Sequence, residues 1–300
     1  MQLLQNPNND SLNILNCKMP VPEVSIGMPV FNGEEHIRKA LDSLLAQTFV
    51  DFELLISDNG STDNTSEICK QYEQKDKRIV YVRQPENMGI GWNFLYVLKQ
   101  SRGKYFMWAS VDDIWEPDFI MENLQSFKLD NTIIASVSKV KFLNNGMPSH
   151  DTYPLMGSVE ENIIKFLKAV LRGRNSRFHS LYKRDILCKC YDEVNFFGHD
   201  CEIVIKTLVY GKYYEVDKFL LFKSLSGLSA KGLKYNLELN KTRLIDRIFP
   251  MFVFTTKILT DKIIPISVKF RCFPILLIYN LRFALSLLKE RIISVCGLKK

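Results

Sequence analysis

The fold is decided by residues 104–115, KYFMWASVDDIW, in which an aromatic, apolar run leads directly into two neighbouring acids, Asp112 and Asp113. The run 105–109 has the composition of a β-strand that is buried on both faces. Such a strand carries the residues after it to the carboxyl edge of a parallel sheet, where open α/β folds bind ligands. Two adjacent carboxylates there repel each other unless a cation or hydrogen-bond donors compensate. A divalent metal carrying a phosphate would do so, since Mg²⁺ and Mn²⁺ prefer oxygen ligands. The simpler alternative is a strand end with two solvated acids, one of which caps the next helix.

Length and composition predict one large domain with an extension. The 300 residues are 46% hydrophobic and 24% charged, which is enough for a sizeable core. Seven scattered cysteines and a polar, Asn-rich start without an apolar run predict a cytosolic chain without a signal peptide. The net charge of +7 is unevenly distributed along the chain, because residues 231–300 contain 14 Lys and Arg but only 4 Asp and Glu. This basic segment is apolar between its charges, so nucleic acid is not an expected partner.

Strand and helix patterns alternate four times before residue 117. Strands are predicted at 24–28, 52–57, 79–83 and 105–109, and helices at 34–47, 65–76 and 90–100. Short connections between them predict an α/β fold with a doubly wound, mainly parallel sheet and helices on both faces. Later predictions are helices at 117–129, 159–171 and 200–210, strands at 133–142, 178–183, 213–216 and 220–223, and a polar loop at 144–151.

Five motifs occur in order in this part of the chain: VSIGMPVFNGEE (24–35), LDSLLAQT (41–48), SDNGSTDNT (57–65), NMG (87–89) and VDD (111–113). The series resembles family 2 glycosyltransferases, which are inverting enzymes of GT-A fold, and in particular the bacterial surface-polysaccharide type. The resemblance is dense from about residue 24 to 119 and thinner to about 229. It implies an N-terminal leader (1–22), a GT-A glycosyltransferase domain (23–231) and a C-terminal extension (232–300).

The resemblance implies a set of donor-binding residues. Asp58 matches the acid that contacts uracil, and a carboxylate suits a base that offers an N–H, as uracil and thymine do at N3. Asp112 is placed near the ribose. The other implied donor contacts are Pro29, Phe31, Glu35, Asn87 and Gly89.

Three neighbouring positions stay open. Glu34 is an alternative to Glu35. Arg83 either faces phosphate or is a solvated strand end, and Asp63 is equally well explained as a turn and cap residue.

The metal and the catalytic base are also implied by the resemblance. Asp113 matches the acid that holds Mn²⁺ or Mg²⁺, which would bridge the diphosphate oxygens. Inverting transfer also needs a base for the acceptor hydroxyl proton. Asp200, in FGHD at a predicted helix start, matches the family's catalytic acid, although a helix N-cap is the simpler alternative. Glu202 is the second candidate, and His199 either orients the site or is structural.

One departure concerns the segment after the last predicted strands. Many relatives carry a His there, whereas residues 222–229 read FKSLSGLS. Lys223 or Lys231 is the candidate to meet the diphosphate instead, and the metal's full ligand set stays open.

The extension after residue 231 is predicted to form basic amphipathic helices. Pro250, Pro265 and Pro274 are expected to break it into pieces that are too short to span a bilayer. Such helices lie on anionic membranes, or they form a helical cap with its basic face in water. The first option predicts a cytoplasmic protein held peripherally on the inner face of the cell membrane.

The sequence therefore predicts an inverting glycosyltransferase. It would move a sugar from a UDP-sugar, or a dTDP-sugar, to a hydroxyl of a growing, lipid-linked surface glycan. The alternative is a catalytically idle nucleotide-binding scaffold subunit of a glycan-assembly complex. A dinucleotide oxidoreductase is disfavoured, because no Gly-x-Gly-x-x-Gly follows the first strand.

Overall fold

The computed structural model describes residues 20–143, 147–149, 153–171, 176–191, 196–224 and 248–296, with side chains described as far as residue 289. The strands are β1 (Val24–Val30), β2 (Phe52–Asp58), β3 (Ile79–Arg83), β4 (Tyr105–Trp108), β5 (Ile114–Trp115), β6 (Ile133–Phe142), β7 (Pro148–Ser149), β8 (Leu181–Lys183) and β9 (Lys212–Lys223). The helices are α1 (Ile37–Leu45), α2 (Thr65–Lys75), α3 (Ile90–Gln100), α4 (Phe119–Ser126), α5 (Val159–Val170), α6 (Arg184–Cys190), α7 (His199–Leu208), α8 (Phe252–Thr260) and α9 (Ile266–Cys296).

These strands form one sheet in the order β3-β2-β1-β4-β8-β6-β9-β5, with β7 beside β6. The first four strands of that order run parallel, which confirms the predicted doubly wound α/β arrangement. In the other half β6 and β9 are parallel, whereas β8 runs antiparallel to β4 and β6, and β5 runs antiparallel to β9. The antiparallel strands matter for function because they bring late chain segments back to the carboxyl end of β4.

Local sequence explains the parallel half. The strands β2 and β4 are buried at every position, so their apolar runs face helices on both sides of the sheet. The helix α1 buries Ile37, Ala40, Leu41 and Leu44, which recur at helical spacing on one face. The two main clusters of buried apolar side chains therefore lie on opposite faces of the same sheet.

Several predicted boundaries were wrong because pairing in the sheet overrides local pattern. The chain stays extended through Pro29 and Val30, since β1 pairs with β2 as far as Asp58. Residues 177–179 form a 3-10 turn, so β8 is shorter than predicted. The two short strands expected after residue 212 are one strand, β9, which pairs with β6 along its length through irregular steps.

The C-terminal extension differs most from the prediction. Pro274 lies inside α9, a helix of 31 residues, and does not end it. A proline removes one helical hydrogen bond. Val268, Cys272, Leu276 and Tyr279 on one side of α9 are buried against the rest of the protein, and this packing holds the helix together. In the described part of the chain, the segment Ile266–Lys289 has the length and composition of a membrane-crossing helix, and 22% of its most apolar window is buried.

Candidate functional site

Strand register brings three distant segments to the carboxyl end of β4. The pairing of Phe106 with Tyr182 runs antiparallel, so the turn that precedes β8 and contains His179 lies beside this end. Ile114 of β5 pairs with Phe222 of β9, also antiparallel, so the next pair outward is Asp113 and Lys223. The sheet itself thus places an ammonium group opposite the predicted metal-binding carboxylate.

Asp113 is the most constrained acid of the site. Its side chain is 2% exposed, and Oδ1 accepts a hydrogen bond of 3.1 Å from the Ser224 backbone N–H. Its other oxygen, Oδ2, is buried and has no hydrogen-bond partner among the described residues. Burial raises the pKa of Asp113 to about 6 against the opposing effect of Lys223, and Asp112 raises it further.

Asp200, the predicted base, lies in the first turn of α7. This helix follows Gly198, whose φ of 92° lies in the left-handed region that favours glycine. Burial raises the pKa of Asp200, while the Cys201 backbone N–H and thiol, and then Lys223, act against that rise. The Lys223 charge thus acts on the pKa of both Asp113 and Asp200, the predicted metal and base residues.

His179 was missed by sequence reasoning. Burial and the Lys223 charge lower the pKa of its imidazole well below the ordinary value, and the Trp108 carbonyl acts in the opposite direction. The ring is therefore neutral at pH 7, and its buried Nδ1 has no hydrogen-bond partner in the described parts of the chain. Local pattern could not find it, because the prediction placed it inside a strand, and only the pairing of β8 with β4 shows its position.

Asp58 lies at the end of β2, as predicted, and is fully buried. Its Oδ1 accepts a hydrogen bond from the Ser61 N–H at 2.8 Å, and its Oδ2 accepts one from the Tyr81 hydroxyl at 2.8 Å. Each carboxylate oxygen has a second lone pair, so its capacity to accept is not exhausted. In this structure the acid shapes the turn after β2.

The loop before α3 is tied to the end of β2 by Asn59. The Asn59 amide donates to Asn87 Oδ1 at 3.0 Å and to the Gly89 carbonyl at 3.2 Å, and its oxygen accepts from the Met88 N–H at 2.9 Å. Gly60, with φ 74°, lies so close that a Cβ would be 3.0 Å from the Glu86 backbone. Asn87 and Gly89 are thereby held at Asn59, the residue that follows Asp58.

The first loop is only partly inside the site. A Cβ on Gly33 would contact Val111 at 3.5 Å, which places this loop beside Asp112. Phe31 is 45% exposed. The Glu35 carboxylate has 86% of its side chain exposed and lies 3.7 Å from His36, so the structure does not bring Glu35 to the other candidates.

The open alternatives in these loops take structural roles. The Glu34 carboxylate accepts hydrogen bonds from the backbone and side-chain amides of Asn64 at 3.0 and 2.8 Å. Asp63 accepts from the Thr65 N–H at 3.0 Å at the start of α2. Arg83 donates to the Ser61 carbonyl at 2.9 Å.

The alternatives around the base also have defined surroundings. His199 packs edge-on against Tyr191 and Phe196, with ring centroids 4.6 and 5.3 Å apart. Glu202 is 1% exposed, and its carboxylate lies 3.9 Å from Lys206 Nζ. Lys231 lies outside the described residues.

The residues present fit a divalent metal in one respect. Asp113 offers a buried oxygen without a partner among the described residues, and the partly exposed Asp112 is next to it. In the part of the chain that the structure describes, no three His, Cys, Asp or Glu side chains form a cluster that could hold a metal ion. Mg²⁺ is commonly held by one or two carboxylates together with substrate phosphates, so such a cluster is not required.

Comparison with known proteins identifies the family. Residues 25–191 match the family model of glycosyl transferase family 2. The chain belongs to glycosyl transferase family 2. Uncharacterised glycosyltransferases of Rickettsia typhi and Rickettsia prowazekii are 30% and 40% identical over 211 residues, which is 68% of this chain and 64% of each relative. The chain thus spans less than two thirds of these relatives.

Solved structures show the same fold. Residues 1–349 of S. aureus TarS in complex with UDP-GlcNAc align with a TM-score of 0.63 and 19% identity, over 82% of this chain and 69% of that one. The mannosyltransferase PcManGT of Pyrobaculum calidifontis in complex with GDP-Man and Mn²⁺ aligns with a TM-score of 0.58 and 15% identity, over 97% and 84%. These structural neighbours confirm the predicted GT-A fold.

The buried charge of Asp113 predicts a pH-dependent stability. Its pKa is about 6 in the folded chain against 3.8 ordinarily, so the folded state binds more protons between these values and stability falls as pH rises through this window. Asp113→Asn keeps an acceptor for Ser224 and removes the charge. Between pH 4 and pH 7 the free energy of unfolding of the variant, relative to the wild type, should rise by about 2–3 kcal/mol. Chemical denaturation in metal-free buffer measures this, and a difference that does not change with pH would contradict it.

Removal of the Asn59 side-chain amide is predicted to destabilise the loop 86–89. Asn59→Ala leaves three backbone and side-chain groups of loop 86–89 without their partner, and should cost about 1–3 kcal/mol of stability. Any thermal protection that UDP gives the wild type should fall as well. Asn123→Ala is the matched control, since Asn123 is fully buried and bonds Ser136 Oγ and the Phe119 carbonyl elsewhere. Equal loss of UDP protection in both variants would show that the loop is not involved.

Proposed function

We propose that this protein is an inverting glycosyltransferase that moves a sugar from a nucleoside diphosphate donor to a hydroxyl of a growing, lipid-linked surface glycan. The observation that carries the proposal is that the positive charge of Lys223 lowers the pKa of both Asp113 and Asp200. Asp113 follows β4, at the sheet edge where α/β folds bind nucleotides. Asp200 lies at the N-terminus of α7, much later in the sequence. A leaving diphosphate and an incoming alcohol need such groups on two sides of one anomeric carbon.

The donor is proposed to be a UDP-sugar, with a dTDP-sugar as the alternative. Asp58, held at the end of β2, accepts hydrogen bonds only, which suits the N3–H of uracil or thymine. The fold neighbour TarS was crystallised with UDP-GlcNAc and the neighbour PcManGT with GDP-Man, so nucleotide-sugar binding is common to both. Asn87, Gly89, Pro29 and Phe31 are proposed to complete the donor pocket from the loops around it.

A divalent cation, Mn²⁺ or Mg²⁺, is proposed to be held by Asp113 Oδ2, with Asp112 beside it. When bound, the cation neutralises charge on the diphosphate as it departs. Lys223 lies in the segment where many relatives have a His and this chain has none, and its ammonium would add a second positive charge toward the leaving group.

Asp200 is proposed to act on the acceptor side. Its carboxylate takes the proton of the acceptor hydroxyl while the oxygen bonds the anomeric carbon, and the bond from that carbon to the diphosphate breaks with its electron pair leaving on the diphosphate. The raised pKa of Asp200 makes it a stronger base than an exposed carboxylate, and the Cys201 N–H and thiol, and then Lys223, act against that rise. His179, which is neutral and beside the end of β4, is proposed to accept a hydrogen bond from a sugar hydroxyl.

Two substitutions separate these roles. Asp113→Asn should abolish the thermal protection that Mn²⁺ gives with a nucleotide sugar, and Asp200→Asn should keep that protection while turnover falls by about a hundredfold or more. The measurement is a panel of UDP-, dTDP- and GDP-sugars, followed first by thermal unfolding and then by nucleoside diphosphate release. Near-normal turnover by Asp200→Asn would refute the base. Donor protection without any release by the wild type would favour the idle scaffold subunit instead.

The outer side of α9 supports a peripheral location on a membrane. Its inner side packs on the domain, which leaves a stripe of apolar side chains that are each at least half exposed. The stripe consists of Ile266, Phe270, Phe273, Leu277, Leu281, Leu285 and Leu288. Exposed basic residues flank it, among them Arg271 and Arg282. A helix with one side on the domain cannot be surrounded by lipid, so we propose that α9 lies in the interface of an anionic bilayer.

The stripe predicts vesicle binding. The triple change Phe270→Ser, Leu277→Ser, Leu285→Ser should abolish co-flotation with phosphatidylglycerol-containing vesicles at low salt, since it removes three side chains that are 51–75% exposed. The matched control changes exposed apolar residues elsewhere, Val50→Ser and Leu129→Ser, which are 69% and 67% exposed. Equal binding by the triple variant and the control would overturn the proposal.

A further inference from the structure

The C-terminal helices form the outer wall of the turn that carries Asp200. Gly198, two residues before the acid, is packed so tightly that a Cβ would lie 2.8 Å from Met251 Cε and 3.4 Å from Phe254 Cβ at the start of α8. Phe197 contacts Phe283 of α9, with ring centroids 5.6 Å apart. The backbone conformation that presents Asp200 is therefore braced by residues from beyond position 250.

A specific polar contact lies inside this packing. Tyr279 of α9 is 4% exposed, and its ring is held between Phe254 and Phe283 at 6.0 and 4.9 Å. Its hydroxyl is hydrogen-bonded to the thiol of Cys201, which is also 4% exposed, and that thiol is hydrogen-bonded to the Asp200 carboxylate. The three groups form a chain that leads from the extension to the proposed base.

The chemistry of the three groups decides which of them donates in each hydrogen bond. A carboxylate only accepts, so the thiol proton points to Asp200. The thiol sulfur can then only accept from the Tyr279 hydroxyl. Hydrogen bonds in such a chain polarise one another, so the phenol makes the thiol a better donor to the carboxylate. Together with the Cys201 backbone N–H, the thiol thus holds the Asp200 carboxylate from one residue of α7.

We infer that Tyr279 is a positioning residue, which through the Cys201 thiol fixes the orientation of the Asp200 carboxylate for proton abstraction. The inference rests on the proposed role of Asp200. It gives the C-terminal extension a role in the reaction, because Tyr279 on the inner face of α9 orients the base. The outer face of the same helix carries the apolar stripe that is proposed to bind the membrane.

The pH profile of the reaction would report the pKa of Asp200, which depends on the titratable and charged groups around it. They are Cys201 on α7, Lys223 at the end of β9, Tyr191 after α6 and, through the thiol, Tyr279 on α9. Hydrogen-bond donation to the charged form lowers a carboxyl pKa. Loss of the thiol hydrogen bond should therefore move the acid limb of the rate profile to higher pH, since Asp200 must be ionised to act.

Tyr279→Phe removes only the hydroxyl and tests the inference in two independent ways. The first readout needs no substrate: the S–H stretching band of Cys201, isolated by subtracting the infrared spectrum of Cys201→Ala, should shift toward that of a weaker donor. The second uses the nucleotide sugar that gives the largest thermal protection with Mn²⁺. The kcat for nucleoside diphosphate release should fall about fivefold to tenfold, with KM unchanged and the acid limb at higher pH.

The matched control is Tyr213→Phe. Tyr213 is also a buried tyrosine, and its hydroxyl lies 2.6 Å from Thr207 Oγ1 at the other end of the same helix α7. This variant should lose stability without changing the S–H band or the pH profile. Cys201→Ser, which retains a donor to Asp200, should keep more kcat than Cys201→Ala.

An unchanged S–H band and pH profile in Tyr279→Phe, or equal changes in Tyr213→Phe, would overturn the inference and leave Tyr279 as a packing residue. Failure of the proposed function looks different. In that case Asp200→Asn turns over like the wild type, whereas the infrared shift in Tyr279→Phe still appears.

Discussion

The site depends on one electrostatic constraint, which is that buried Asp113 needs compensating positive charge. The antiparallel pairing of β5 with β9 supplies it, because the register that joins Ile114 to Phe222 places Lys223 and the Ser224 N–H beside the carboxylate. Burial still raises the pKa of Asp113 to about 6, so this compensation is incomplete. A group with unsatisfied negative charge at a strand edge is a natural place for a cation that arrives with a phosphate-bearing ligand. The same lysine acts on Asp200, so a single side chain relates the two halves of the proposed reaction.

Sequence was sufficient where a residue's role depends on its own strand. The alternating pattern before residue 117 gave the parallel half of the sheet, and Asp58, Asn87 and Asp113 all lie at its carboxyl edge. It was insufficient where antiparallel pairing decides position. His179 and Lys223 reach the site only because β8 and β9 return alongside β4, β5 and β6, and no local pattern records which strand a segment will pair with. Glu34 and Glu35 were indistinguishable in sequence, and the structure separates them by the amide partners that Glu34 finds in Asn64.

The extension shows the same limit in a helix. Proline positions predicted short pieces, yet α9 continues through Pro274, because the buried side of the helix is anchored on the domain before and after it. Its two faces differ in what they contact. Tyr279 reaches the turn that holds Asp200, whereas the opposite side is an apolar stripe that this chain does not cover in its described parts. A lipid surface on that side would lie next to the element that presents the proposed base, which is a fitting arrangement for an acceptor carried on a lipid.

The central claim is that the Asp113 and Asp200 carboxylates line one crevice, with the diphosphate of the donor near Lys223. A crystal structure of the full chain with UDP and Mn²⁺ tests it most directly. The account predicts Mn²⁺ on Asp113 Oδ2, the diphosphate within contact of the Lys223 ammonium, and Asp200 facing the space beyond the terminal phosphate. Nucleotide bound away from the end of β4, or an Asp200 carboxylate that points away from the bound diphosphate, would contradict it.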